Sequence, residues 1–327
     1  MIKKTIKQIR SRFYWGSLPP GVYCFNYHRI GDPDQTDYDP NVFSCNADAL
    51  DQHIGFFKEQ FELVDLDELV GLSKSGKTID RRYALITFDD GYLDNYELAL
   101  PVLERHAAPA TFFVVHEFVE KESLAWWDEI AWLVKQSSLD EVQARGWQDP
   151  VKIDRNDYAG SIRRVLAEFK QDESQSIEQR LSELRVLFGA LNPPSASQSS
   201  LFMGWEELGD LAARGMSIGS HGMTHRILAQ LSDEDQWFEV SRSRLELSEA
   251  LGCTVSAIAY PVGSEQSSDS VTEQAVLKAG YELGFSFVKG YNPSLTQPAN
   301  LRLRRISIDG NPGVADLKQL IVSAVVD

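Results

Sequence analysis

Short apolar runs rich in β-branched and aromatic residues recur along this chain and alternate with stretches of helical periodicity. The runs at 22–27, 62–66, 84–88, 110–115, 216–219, 255–260, 283–288 and 301–308 read as strands. Between them, 47–60, 92–106, 205–214, 232–251 and 270–279 read as helices. Strand–helix alternation of this kind predicts an α/β fold with a parallel sheet, and seven or eight repeats of the unit predict a barrel.

The segment from about 119 to 202 breaks the rhythm. It opens on Trp126-Trp127-Asp128-Glu129, continues through a charged helical stretch at 157–189, and ends in a breaker-rich loop at 192–200. It reads as a helical insertion into the barrel, a lid or substrate-side cap. At the other end, Ile2, Ile6, Ile9 and Phe13 fall at helical intervals among Lys3, Lys4, Lys7 and Arg10, followed by Tyr14 and Trp15. Residues 1–18 are therefore expected to form a basic amphipathic helix. Two readings fit it: peripheral contact with an anionic membrane through residues 1–15, or docking on the barrel with solvated lysines. Residues 19–327 form the barrel with its insertion.

Charge narrows the partners. The chain carries a net charge of −16 over 327 residues, which argues against nucleic acid as a partner, because phosphate neutralisation needs a basic face. Cys24, Cys45 and Cys253 have neither metal-ligand spacing nor a disulfide framework, so they are expected as small core residues in a reducing compartment. No apolar run approaches the roughly 18 residues of a spanning helix, and the N-terminus lacks the h-region of a secretory signal. The expected location is cytoplasmic, at the inner face of the membrane if the basic helix binds there.

Two clusters carry chemistry. Thr87-Phe88-Asp89-Asp90-Gly91 follows one apolar run, and Ser220-His221-Gly222-Met223-Thr224-His225 follows another. One aspartate and two histidines make a three-ligand set with an open position on a divalent ion, leaving the other aspartate free to take a proton. Both clusters fall directly after predicted strands, where barrels place their active sites. The bland reading makes the carboxylates a turn and helix cap, and the histidines ordinary polar residues.

These two clusters, with Pro109-Ala110-Thr111-Phe112-Phe113-Val114 between them, resemble the polysaccharide deacetylase family (the NodB-homology domain, carbohydrate esterase family 4) over about 20–118 and 203–310. The resemblance implies a distorted (β/α) barrel that removes acetyl groups from N-acetylated sugars with a divalent metal. It implies Asp90, His221 and His225 as metal ligands and Asp89 as general base. Zn²⁺ suits such a set, and Co²⁺ or Ni²⁺ could serve. Ile258-Ala259-Tyr260-Pro261-Val262-Gly263 resembles the family's oxyanion element, with the backbone N–H of Val262 as donor. Tyr260 and Pro261 of that element are expected to face substrate. So are Trp126 and Trp127, unless they pack the insertion's core.

Two departures stand out. Ala259 replaces the family's arginine, and neither 280–287 nor 301–310 holds the late histidine that resembles the acid. Substitutes are available. In the last strand, Arg305 shares a face with Leu301, Leu303 and Ser307 and is a candidate to orient Asp89, or an ordinary surface cation. His28 ends the first strand, which neighbours the last in a closed barrel, and is a candidate general acid or a rim hydrogen-bonder. His116 also follows a strand and reads as structural. The expected substrate is an acetamido sugar in exopolysaccharide or other cell-surface glycan biosynthesis, an acetylated glycan or its lipid- or nucleotide-linked precursor. Two further readings stay open: a non-sugar amide, or a non-catalytic carbohydrate-binding protein.

Overall fold

The computed structural model describes residues 15–120, 124–171, 176–189, 191–194 and 201–326. The proposed basic helix therefore lies outside the described residues over 1–14. Trp15 is described, and its ring lies 5.3 Å from that of Phe56.

Seven strands close a parallel barrel: β1 (Gly21–Tyr27), β2 (Arg82–Phe88), β3 (Thr111–Val114), β4 (Ser217–Ser220), β5 (Ala257–Ala259), β6 (Leu283–Lys289) and β7 (Leu303–Ser307). Closure falls at β1, where Cys24 lies opposite both Leu85 and Arg305. The expected eighth strand shrinks to Glu62–Leu63, which pairs only with the start of β2 and stands outside the ring. Its chain turns instead into a helix, Leu66–Ser75. Asp65 caps that helix in a reciprocal box with Glu68, a signal that ends the strand early.

Alternation along the strands divides the core in two. Tyr23, Phe25, Tyr27, Ile86, Phe88 and Phe112 face outward and pack against Leu50, Ile54 and Phe57 of helix Ala47–Gln60. Val22, Cys24, Leu85, Phe113, Phe285 and Leu303 face inward as a second apolar cluster. Further along the same inward faces, toward the strands' C-terminal ends, the residue types turn polar: Asn26 on β1, Thr87 on β2 and Arg305 on β7. All three are buried. The barrel thus has an oily base and a polar mouth. Cys24 and Cys45 are buried as expected, whereas Cys253 is exposed beyond the helix Asp233–Leu251.

Residues 32–43 and 121–200 form a second compact unit. Its described helices are Trp126–Gln136, Tyr158–Gln171 and Ile177–Leu187, with a short antiparallel ribbon at 141–142 and 151–152. Helix Trp126–Gln136 buries Trp127, Ile130, Leu133 and Val134, and its buried Glu129 accepts from Arg185 Nε and Nη2 at 2.6 and 2.8 Å. Trp126 stacks on Phe169 at 5.3 Å. Trp127 is thus buried and Trp126 packs on Phe169, in line with the packing alternative for this pair. Residues 32–43 were not expected here. Polar contacts hold them: Asp39 N–H donates to Asp128 at 3.0 Å, and the Asn41 amide donates to the Ala159 carbonyl at 3.1 Å. Hydrophobic periodicity carries no trace of such bonds.

Candidate metal and acid–base site

Asp89 and Asp90 leave the end of β2 in different directions. The backbone of Asp90 turns left-handed at φ 72°, and Gly91 follows at 82°. A Cβ on Gly91 would come within 3.2 Å of Val114 on β3, so the turn needs glycine twice over, for its conformation and its closeness. His225 and Val262 also hold positive φ, 58° and 62°. Among the described residues, three of the five such non-glycine residues belong to the expected site, where backbone strain concentrates when surroundings enforce it.

The turn at Asp90 brings its carboxylate toward both histidines. Oδ1 lies 3.6 Å from His221 Nε2 and 3.4 Å from His225 Nε2, and all three residues are buried. These gaps are longer than the usual hydrogen-bond range of about 2.7–3.2 Å. They match two ligands sharing one ion: bonds of about 2.1 Å at a tetrahedral angle put donor atoms about 3.4 Å apart. His221 Nδ1 donates to the Ala259 carbonyl at 2.8 Å, which leaves the Nε2 lone pair facing Asp90. Burial pushes the His221 imidazole below its ordinary pKa, so the neutral, ligating form is favoured although the Asp89 charge opposes this. The donor set fits a divalent ion.

Asp89 is held from the far side of the barrel. Arg305 Nη1 and Nη2 donate to its two oxygens at 2.7 and 2.8 Å, with both side chains buried. Arg305 also donates from Nε to the Ser286 carbonyl at 2.8 Å and from Nη1 to Asn26 Oδ1 at 2.7 Å. Asn26 in turn donates to Asp89 at 3.3 Å and accepts from the Thr87 hydroxyl at 2.8 Å. Burial raises the Asp89 carboxyl, but Arg305, His221 and the bidentate hydrogen bonds outweigh it and hold the carboxyl down at about 2. A carboxylate so placed is ionised at any physiological pH.

His28 sits at the end of β1. Its N–H donates to Ser44 at 2.9 Å, its carbonyl accepts from Asn95 at 2.7 Å, and its ring meets Phe287 edge-on at 5.7 Å. Burial lowers the imidazole, the Asp89 and Asp309 charges oppose this, and the Arg305 charge adds to it. His28 therefore shares the electrostatic neighbourhood of Asp89 and Arg305.

The oxyanion element is split. Val262 is exposed at a left-handed turn, while Pro261 is buried. Tyr260 is fully buried and its hydroxyl donates to the Leu301 carbonyl at 2.8 Å, so its ring is part of the barrel wall. That corrects its expected place against substrate. The His116 side chain pairs with Glu246 at 2.7 Å.

Two residues escaped the sequence reading. Asn26 had a usable signal, since period-two alternation puts it on one face with Cys24 and beside the β7 arginine. Glu239 had none: it sits mid-helix in a polar stretch, fully buried against the loop between the histidines.

A family model described as polysaccharide deacetylase matches residues 76–284. Poly-β-1,6-N-acetyl-D-glucosamine N-deacetylase of Escherichia coli K12 is 23% identical over 152 residues, 42% of this chain and 22% of that protein. The aligned part thus spans only about a fifth of that curated relative. Among solved structures, the Streptococcus pyogenes deacetylase PplD, in complex with acetate, superposes with a TM-score of 0.61 at 20% identity, covering 93% of this chain and 99% of that one. IcaB from Ammonifex degensii gives 0.55 at 17% identity, over 92% and 97%. Structural likeness at such identities establishes the fold alone. The family match itself runs from before β2 into β6, through both aspartates and both histidines, and by it this chain belongs to the polysaccharide deacetylase family.

Proposed function

We propose that this chain is a metal-dependent N-deacetylase that releases acetate from acetamido sugars of a cell-surface glycan or its precursor. The observation that carries the reading is an ionised carboxylate, Asp89, fixed by Arg305 beside a three-ligand set that does not use it. A binding module has no need of a free base there.

Asp90, His221 and His225 would hold the ion, Zn²⁺ by preference with Co²⁺ or Ni²⁺ as substitutes. When bound, such an ion polarises the amide carbonyl and acidifies water. The chain's own residues do the rest. Asp89 takes a proton from the attacking water, and Arg305 keeps the carboxylate aimed and charged while it does so. The backbone N–H of Val262 donates to the oxygen that gains charge as the carbonyl becomes tetrahedral. As the C–N bond breaks, His28 gives a proton to the nitrogen, so the products are acetate and a free amine. A lowered pKa makes the His28 imidazolium a stronger acid, at the cost of a smaller protonated fraction.

Acetate release from acetylated β-1,6- and β-1,4-linked glucosamine oligomers, and from lipid- and nucleotide-linked acetamido sugars, tests the reading. Release with Zn²⁺ that disappears in Asp89→Asn supports it. A folded, metal-loaded protein that hydrolyses none of these substrates would sink it.

A further inference from the structure

The loop that carries both histidines has no regular structure of its own, yet the backbone N–H groups of its first four residues, His221 to Thr224, are all hydrogen-bonded. His221 N–H donates to the Val114 carbonyl at 2.8 Å, and Gly222 N–H to the Ser220 hydroxyl at 3.1 Å. The Gly222 and Met223 carbonyls accept from His116 and Glu117 N–H at 3.2 and 2.9 Å. The next two donors, Met223 and Thr224 N–H, converge on one atom, Glu239 Oε2, at 2.8 and 3.0 Å. The other carboxylate oxygen accepts from the Thr224 hydroxyl and from Arg226 Nε and Nη2, at 3.2 and 3.0 Å for the arginine.

Glu239 is fully buried, and it comes from a different element, helix Asp233–Leu251. Ser243, one turn further along the helix, accepts from the Ser220 hydroxyl at 2.8 Å, so the same helix grips the loop at its start. The fit is close: Gly222 adopts φ 84°, and a Cβ there would lie 3.1 Å from Glu239 Oε2. Between Met223 and Arg226, every residue but His225 donates directly to this carboxylate. His225 itself holds φ 58°, a left-handed conformation uncommon for a non-glycine residue.

We infer that Glu239 is a positioning residue, held to the Met223–Thr224–Arg226 turn, that sets how tightly the Asp90–His221–His225 site binds its divalent ion. This rests on the metal reading proposed above. The physical reason is preorganisation. Two ligands four residues apart meet one ion only if the intervening turn keeps its shape, and the carboxylate satisfies the donors that would otherwise pull the turn toward water. Partners beyond the ligands typically change metal affinity 10–100-fold.

The test uses the full chain, stripped of metal, with Zn²⁺ titrated against a chromophoric chelator. Glu239→Gln keeps the shape but presents an amide where donors converge. It is expected to raise the Zn²⁺ dissociation constant tenfold or more while the metal-free protein still unfolds cooperatively. A folded Glu239→Gln protein whose constant stays within tenfold of the parent overturns the inference, even if its melting temperature falls. Should that variant not fold, Thr224→Val decides, since it removes one donor from a half-buried position. An increase of threefold or more supports the inference and a smaller one overturns it. His225→Ala is the control: a parent protein that binds Zn²⁺ no better than this variant overturns the metal reading itself, and the inference with it.

Discussion

Arg305 stands on β7 and Asp89 directly follows β2, two strands that do not pair with each other, yet the two residues meet through charge-assisted hydrogen bonds of 2.7 and 2.8 Å. β1 lies between them, pairing with β7 on one edge and β2 on the other. Asn26, on that intervening strand, bonds to both. Where the family resemblance leads to an arginine this chain has Ala259, and the arginine that bonds Asp89 lies 46 positions later along the chain.

Arg305→Met is expected to destabilise the protein by about 3–5 kcal/mol, because it leaves a buried carboxylate without its counter-ion. Denaturant unfolding measures this directly. Where the variant is folded enough to assay, the acid limb of kcat/KM moves to higher pH, since the burial that raises Asp89 is then less opposed. An unmoved limb would show that Arg305 does not set the ionisation of the base.

The same pair makes stability depend on pH in a defined window. The folded-state pKa of Asp89 lies below its ordinary value, so its contribution is complete above about pH 4 and is lost as pH falls through about 2. Its size is on the order of 2 kcal/mol. Unfolding free energies of the parent and Asp89→Asn, measured from pH 5 to pH 2, should converge toward the acid end. Parallel curves would contradict the shift.

His28→Gln is expected to lower turnover of acetamido sugars 10²–10⁴-fold, about the range for one general acid. An aryl acetate, whose phenolate leaves without protonation, should lose far less. Equal losses on both substrates would mean that His28 positions something else, and full amide activity would remove it from the mechanism.

Metal removal has two readouts. Chelation is expected to abolish acetate release and also to lower the melting temperature, because an ion bound only by the folded state stabilises it by mass action. Zn²⁺ added back should restore both in the parent protein and neither in Asp90→Ala. A melting temperature indifferent to Zn²⁺ would place no ion at Asp90.

The sequence by itself determined the strands, because each barrel strand is a short apolar run bounded by breakers, and it determined the two clusters, because both follow such runs directly. Asp89, Asp90, His221 and His225 were legible as types and spacing. Arg305 was legible as a candidate, since alternation alone puts it on the face of Leu303. What alternation does not contain is distance across the ring. Only closure of the barrel at β1 brings β7 within reach of β2, and only that closure separates a buried ion pair from a surface arginine. Tyr260 shows the opposite failure: its motif placed it against substrate, while packing turned its ring inward to Leu301. Glu239 and residues 32–43 were invisible for one reason. Polar contacts between distant segments leave no period in a sequence, and they exist only once the fold has chosen which carboxylate meets which turn.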